Sequence, residues 1–449
     1  MKLAWYGDDF TGASDTLAVA SLGGLRSMLF LGVPTPARLE AAGPLDALGI
    51  AGSTRTMAPR AMQEELSRIG AFFQTLDARV FHYKCCSTFD SSAETGSIGA
   101  AIRALGPAAA SSVAYVIGGQ PDIGRYCCFS NLFAAAGAEA EAYRLDRHPT
   151  MSRHPVTPMH ESDLRRVLAE QGVAPVASIH YPDYRLPEAR LDEKVDRLAA
   201  LSGNGSGALL FDIAEPAHLA PVGRLIWRRA SDATLLVAGS STVVQALAAH
   251  WGDRQAPDSE IRQAAPAASA RVRWSPSRRA GAAVFVLAGS MSPVTARQVA
   301  GALSYQSLAL DAARLVSDSS YLKEQAGSAA AALGEGRHVL AYVRRSGSGP
   351  DDGVSSHDLA RRTSDLLAAV LRACARFGGL RRVGVAGGDT SSLAVRSLDV
   401  WALSFVRALS PGVALCRAHS DDPALDGMEL MLKGGQMGPA DIFERLLAE

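Results

Sequence analysis

Short apolar runs ending in Gly, Asp or Ser alternate along this chain with longer Ala- and Leu-rich segments whose apolar residues recur at helical spacing. That alternation belongs to parallel strands covered by helices, so the pattern predicts an α/β fold. Strands are expected at 2–6, 27–30, 47–51, 80–84, 113–117 and 208–211, with helices at 59–76 and 97–104 between them. A second series has strands at 234–238, 283–288, 338–343 and 382–386, and helices at 292–304, 356–377 and 390–397. Between the series, 252–281 is rich in Arg, Pro, Ser and Ala without apolar period, which reads as a linker. The expected organisation is two domains, 1–252 and 282–449, each with a largely parallel sheet flanked by helices, joined by 253–281. A length of 449 residues supports that division, because one hydrophobic core seldom extends so far.

Composition narrows the partners. Lys plus Arg (45) balances Asp plus Glu (45), and no run of one sign supplies the basic stripe that nucleic-acid binding requires. The first residues lack the order of a secretory signal, and no apolar run reaches the ~18 residues of a membrane span. The six cysteines show neither C-x-x-C ligand spacing nor the density of a disulfide scaffold. A cytoplasmic protein with reduced thiols is expected.

Candidate chemistry gathers where expected strands end, which is where open α/β sheets bind ligands. The strand at 2–6 runs into Gly7-Asp8-Asp9-Phe10-Thr11-Gly12, and a helix is expected from Ala13. Thr11 and Asp15 are four apart, so an early helix start puts them on one face. Asp8 and Asp9 can orient a hydroxyl, take its proton or hold a metal; the plainer role is a helix cap, but one cap needs one acceptor. A phosphatase with an Asp nucleophile two residues before a second Asp is a rival, and Gly7 occupies that nucleophile position ahead of Asp9. Three further strand ends carry Arg55, then Lys84 with Ser87, Thr88 and Asp90, then Gln120 with Arg125. Together they suit a polyhydroxylated anion, cations for a carboxylate and neutral groups for hydroxyls. Taken singly, each is an ordinary loop residue, as is His154 in its proline-flanked segment.

The second half offers glycine loops instead. One strand runs into Gly289-Ser290-Met291-Ser292-Pro293, where Ser292 reads as an N-cap and Pro293 as the first helical residue. Another runs into Gly387-Gly388-Asp389-Thr390, and a third loop is Lys433-Gly434-Gly435-Gln436-Met437-Gly438. Glycines and free helix-start amides admit phosphate oxygens, and Asp389 can hold magnesium or cap the helix. Neither G-x-x-x-x-G-K-[ST] nor G-x-G-x-x-G is present.

In order, Asp8-Asp9-Phe10-Thr11-Gly12-Ala13 with Asp15, Gly96 to Gly99, His154-Pro155 with Thr157-Pro158, Gly289-Ser290 with Ser292-Pro293, Thr295 and Gln298, Gly387 to Thr390, Pro411-Gly412-Val413 and Lys433 to Gly438 resemble the four-carbon acid sugar kinase family. The resemblance spans nearly the whole chain. It implies a kinase that phosphorylates the terminal (4-) hydroxyl of threonate, erythronate or 3-oxo-tetronate, using ATP and Mg2+. It places substrate on 1–252, at Asp8 to Thr11, Arg55 and the Lys84 region, and ATP on 282–449, at Ser290, Gly387 to Thr390 and the loop holding Lys433, Gly435 and Gly438. One stretch departs from the family pattern Lys-x-Asp-Ser-Thr-Leu-Arg-Gly: here Cys86 stands for the Asp and Asp90 for the Arg, as in a distinct branch. The expected partners are therefore ATP and a small sugar acid, with a homo-oligomer open. Two alternatives stay open, a kinase of the same architecture acting on another hydroxy acid and a non-catalytic metabolite- and nucleotide-binding protein.

Overall fold

The structure is a computed structural model. It describes the chain except residues 111, 137–140, 155, 204–206, 254–282, 345–353, 378 and 449, and the side chains of 253, 356, 357, 389 and 392. The chain forms two compact units, Met1–Ala270 and Arg271–Glu449. Of the expected linker, 254–281 lies outside the described residues, as does Pro155 of the His154 segment.

The first unit holds strands β1 (Leu3–Gly7), β2 (Ser27–Phe30), β3 (Ala47–Ala51), β4 (Val80–Lys84), β5 (Ala114–Gly118), β6 (Arg125–Cys128), β7 (Asn131–Ala135), β8 (Ala142–Arg144), β9 (Val176–Ile179), β10 (Ala208–Asp212) and β11 (Leu235–Gly239). Its main sheet runs β2-β3-β1-β4-β11-β5-β10-β9, and every neighbouring pair is parallel. β1, β3, β4, β5, β10 and β11 are buried along their whole length, as a sheet covered on both faces requires. The helices read as predicted from their caps. Pro59 opens Pro59–Gln74 at its first position, and the Ser97 hydroxyl accepts from the Ala100 amide at 3.1 Å to start Ile98–Leu105. Strands β6, β7 and β8 make a separate small antiparallel sheet that the apolar pattern does not announce, because its residues are only half-buried.

The second unit has β12 (Val284–Ala288), β13 (Gln306–Asp311), β14 (Val339–Arg344), β15 (Arg382–Ala386), β16 (Ala402–Ser410), β17 (Val413–His419) and β18 (Glu429–Lys433). They lie in the order β13-β14-β12-β15-β18-β17-β16, parallel from β13 to β18 and antiparallel beyond. Val286, Leu340, Leu415, Met431 and Phe443 anchor a core of buried apolar residues. Arg382 is buried there because Glu429 pairs with its Nε at 2.7 Å and the Leu446 carbonyl accepts from Nη1 at 2.6 Å. Each unit is thus an α/β layer with a largely parallel sheet, and in each the carboxyl ends of neighbouring strands open onto one edge.

Candidate active site

In the first unit, backbone bonds continue the parallel ladder past the strand ends and gather their loops. The amide of Asp8 donates to the Lys84 carbonyl at 2.9 Å, that of Gly52 to the Gly7 carbonyl at 2.9 Å, and that of Cys85 to the Gly239 carbonyl at 2.9 Å. The helix Phe10–Leu22 starts earlier than its apolar pattern suggests because Asp9 caps it: Asp9 Oδ1 accepts from the Gly12 amide at 2.6 Å. Its other oxygen lies 2.5 Å from Arg55 Nη1. The same guanidinium donates from Nη2 to Asp8 Oδ1 at 3.1 Å and from Nε to Asp8 Oδ2 at 3.3 Å. One Arg thus ties together two adjacent carboxylates at the end of β1, and only one of them is spent on the cap.

Electrostatics separate the two. Burial pushes the Asp8 carboxyl up, and although Arg55 opposes it and Asp9 adds to it, the group ends at about 6. Burial alone would lower Arg55, but Asp8 and Asp9 outweigh it and keep the guanidinium charged. Lys84 is 4% exposed; burial works against its charge, Asp8 and Asp9 restore it, and its Nζ donates to the Cys85 carbonyl at 2.7 Å. A methyl at Gly12 would fall 2.5 Å from that Nζ, so glycine there lets Lys84 lie across the helix start.

The remaining predicted side chains line the same rim. Thr88 donates to Asp90 Oδ1 at 2.6 Å; burial pushes Asp90 up, but Arg55 together with Cys86 and Thr88 holds it below its ordinary value. Ser87 is half-buried beside them. Asp15 accepts from Ser241 Oγ at 2.5 Å, and Ser241 in turn accepts from Gln120 Nε2 at 2.9 Å. Burial raises the Asp15 carboxyl, and Ser241 only partly offsets it. Ser241 was missed by the sequence reading, although Gly239-Ser240-Ser241 follows an expected strand as the other loops do. Of the predicted substrate-binding residues, Thr11 and Arg125 each keep a buried polar atom without a hydrogen-bond partner among the described residues, the Thr11 hydroxyl and Arg125 Nε. His154 is a satisfied loop residue: its Nδ1 accepts from the Thr157 amide at 3.1 Å.

In the second unit, the three glycine loops follow the neighbouring strands β12, β15 and β18. The Ser290 amide donates to the Ala386 carbonyl at 3.1 Å and the Gly387 amide to the Lys433 carbonyl at 2.9 Å. Ser292 caps Pro293–Ala300 by accepting from the Thr295 amide at 3.1 Å, and its hydroxyl donates to the Gly435 carbonyl. Thr295 donates to that same carbonyl at 2.9 Å, and Gln298 Nε2 donates to the carbonyl of Gly438 at 2.9 Å. Thr295 and Gln298 therefore fasten the third loop to the first, a role that their positions in the sequence do not reveal.

Close packing explains the glycines. A methyl at Gly289 would lie 2.2 Å from Thr390 Oγ1, and one at Gly435 would lie 2.3 Å from Ser290 Oγ. Gly387 has φ of +131°, which side chains disfavour, and a methyl at Gly388 would meet open space. Lys433 is fully buried, donates to the Gly434 carbonyl at 3.0 Å, and is pushed down to about 8 by that burial. Beside the first loop a cavity of 420 Å³ is lined by Ser290, Met291, Thr295, Val299, Tyr342 and Arg344. The side chain of Asp389, expected to hold magnesium, lies outside the described residues. Among the described residues no three His, Cys, Asp or Glu side chains converge as a metal site, and Asp8 and Asp9 are already engaged by Arg55.

A rim of opposed charges and polar groups on one α/β unit and glycine loops with a buried lysine on another define a two-unit protein of the sugar-and-nucleotide-binding class. Residues 3–247 match a sugar-binding N-terminal domain and residues 285–443 a nucleotide-binding C-terminal domain. The chain belongs to the four-carbon acid sugar kinase family, as the resemblance implied. It is 37% identical to the 3-oxo-isoapionate kinase of Paraburkholderia graminis, covering 99% of this chain and 93% of that one. It is 30% identical to the 3-oxo-tetronate kinase of Methylobacterium radiotolerans, covering 100% and 99%. A solved structure from Salmonella typhimurium LT2 shares the fold with a TM-score of 0.79 at 24% identity, over 100% of this chain and 99% of that one.

Proposed function

We infer that this chain is an ATP-dependent kinase that phosphorylates the terminal hydroxyl of a small sugar acid of the four-carbon class. The observation that carries the reading is Asp8, a buried carboxylate at a strand end with its acidity moved to about 6, in a chain that aligns over almost its full length with kinases of 3-oxo acids. A base near that value is unprotonated at neutral pH yet basic enough to take a proton from a hydroxyl as it attacks. Arg55 fixes its orientation through two hydrogen bonds. Asp9, as the cap, positions the loop.

The second unit supplies the phosphoryl donor's site. Loop amides at Ser290 and Gly387 to Thr390, with the Lys433 ammonium, would offset the charge of the nucleotide phosphates, which is most of what phosphoryl transfer asks of a protein. The cavity beside Ser290 has room for the rest of the nucleotide. Magnesium would neutralise charge on the phosphates of ATP, and Asp389 of the second glycine loop is the residue that would hold it. A cytoplasmic setting is part of the same reading, supported by six unpaired cysteines and by the lack of any membrane-crossing helix among the described residues.

The relative at 37% identity acts on 3-oxo-isoapionate and those near 30% act on 3-oxo-tetronate, which keeps a second acid in view. A coupled ADP-release assay over threonate, erythronate, 3-oxo-tetronate, 3-oxo-isoapionate and longer aldonates tests the proposal. Turnover with a tetronate-sized acid is expected, and turnover confined to longer aldonates would overturn the size class.

A further inference from the structure

The first unit presents three buried or half-buried cations to one rim, and the structure gives them different amounts of work. Arg55 is saturated by carboxylates, with Asp8 on two of its nitrogens and Asp9 on the third. Lys84 has its ammonium on the Cys85 carbonyl and lies under the helix start at Gly12. A substrate carboxylate arriving at either would have to displace an existing anion or wedge itself beside Asp8 and Asp9, at a like-charge cost.

Arg125 differs. It sits at the start of β6, and backbone bonds with Gln120 in both directions, 2.8 and 3.1 Å, hold it against the end of β5. Gln120 is itself bonded into the rim through Ser241. Arg125 makes no ion pair among the described residues; one nitrogen, Nη1, donates to the Ile123 carbonyl, while Nε is buried without a partner. Burial works against its charge, while Asp122 and Asp90 favour it, and Asp90 favours that of Arg55 likewise. A buried guanidinium N–H without a partner is a donor that a carboxylate oxygen would satisfy.

Asp90 completes the polarity. It is 7% exposed, already accepts from Thr88, and offers acceptor capacity but no positive charge. A carboxylate retains lone pairs after one such bond, and a sugar hydroxyl is the donor that suits them.

We propose that Arg125 receives the acid group of the substrate while Asp90 accepts a hydrogen bond from one of its hydroxyls, so that this pair sets which way round the sugar acid lies. This rests on the kinase reading for the substrate class, but the orientation is testable by binding alone. Arg125 is then a specificity-determining residue for acid over neutral ligand, and Arg55 is a positioning residue for Asp8.

The test uses the full chain with threonate and erythronate, each compared with its carboxamide. Calorimetric titration without ATP and steady-state kinetics with ATP are both run on wild type, Arg125→Met and Arg125→Lys. Wild type is expected to favour acid over amide by about 10- to 100-fold, the scale of hydrogen bonds to a charged group. Arg125→Met should erase that preference by weakening the acid and leaving the amide unchanged, and Arg125→Lys should restore part of it. Equal losses for acid and amide, or a preference that survives in Arg125→Met, would overturn the inference while leaving a working kinase intact. Acid binding that depends on Arg125 without any ADP formation would support the inference and sink the kinase reading. Binding of neither acid to wild type would count against both.

Discussion

Arg55 lies across both carboxylates of the opening loop, 3.1 Å from Asp8 and 2.5 Å from Asp9. The contact divides the labour of two residues that are adjacent in sequence. Asp9 has one oxygen on the Gly12 amide and the other on Arg55, which leaves it little capacity for substrate. Among the described residues the Asp8 carboxylate accepts hydrogen bonds from Arg55, and burial moves it towards neutrality.

Asp8→Asn should therefore lower kcat by about 10²- to 10⁴-fold, the usual contribution of a general base, while ATP binding stays at the wild-type level. Single-turnover kinetics with ATP titration separates the two effects. Weakened ATP binding with normal kcat would remove Asp8 from proton transfer.

Asp9→Ala should instead lower stability by about 1 kcal/mol through the lost cap, with a further loss from the released Arg55 charge. Denaturant unfolding reads it, and an unchanged midpoint would show that another group caps the Phe10–Leu22 helix.

The pH dependence follows from Asp8. Its folded value of about 6 lies above the ordinary 3.8, so the folded chain holds a proton between those values that the unfolded chain has lost. The stability contributed by this group is present below pH 3.8 and falls as pH rises through about 6. Activity runs the other way, because the base is free only above about 6. kcat should fall as pH drops through that value, and the fall should be absent from the residual activity of Asp8→Asn.

Much of this site was legible because strand ends are punctuated. The strands at 27–30, 47–51 and 80–84 fall where expected, and the latter two are short runs closed by Gly52 and Lys84. The loops that follow β1, β3 and β4 are thus legible in the sequence as strand ends where an open α/β sheet binds ligands. What the pattern left out depends on partners distant in sequence. Ser241 matters only because Asp15 and Gln120 reach it, and Thr295 and Gln298 only because the Gly435 and Gly438 carbonyls come to them. Strand β16 is not legible in the apolar pattern because it is half-exposed over much of its length, which blurs the apolar run.

The glycine loops give a prediction confined to the nucleotide. Gly289→Ala would drive a methyl to within 2.2 Å of Thr390 Oγ1, so one loop must move. KM for ATP should rise, with sugar-acid binding by calorimetry unchanged. A normal KM for ATP would detach this loop from the phosphates.

Lys433→Met should weaken ATP binding by about 10- to 100-fold, the worth of hydrogen bonds to a charged group. Because burial lowers Lys433 to about 8, ATP affinity of wild type should also decline as pH rises through that value. Nucleotide titration at several pH values checks both, and a flat profile would mean that Lys433 serves only the loop.

The most direct test of the kinase reading is product identification with wild-type protein, ATP and each acid of the panel. Phosphorus NMR should show one new phosphate monoester on the sugar acid for every ADP formed, with the terminal carbon carrying the phosphate. Acid-dependent stabilisation of the protein without ADP from any acid would contradict it, leaving a binding protein in place of an enzyme.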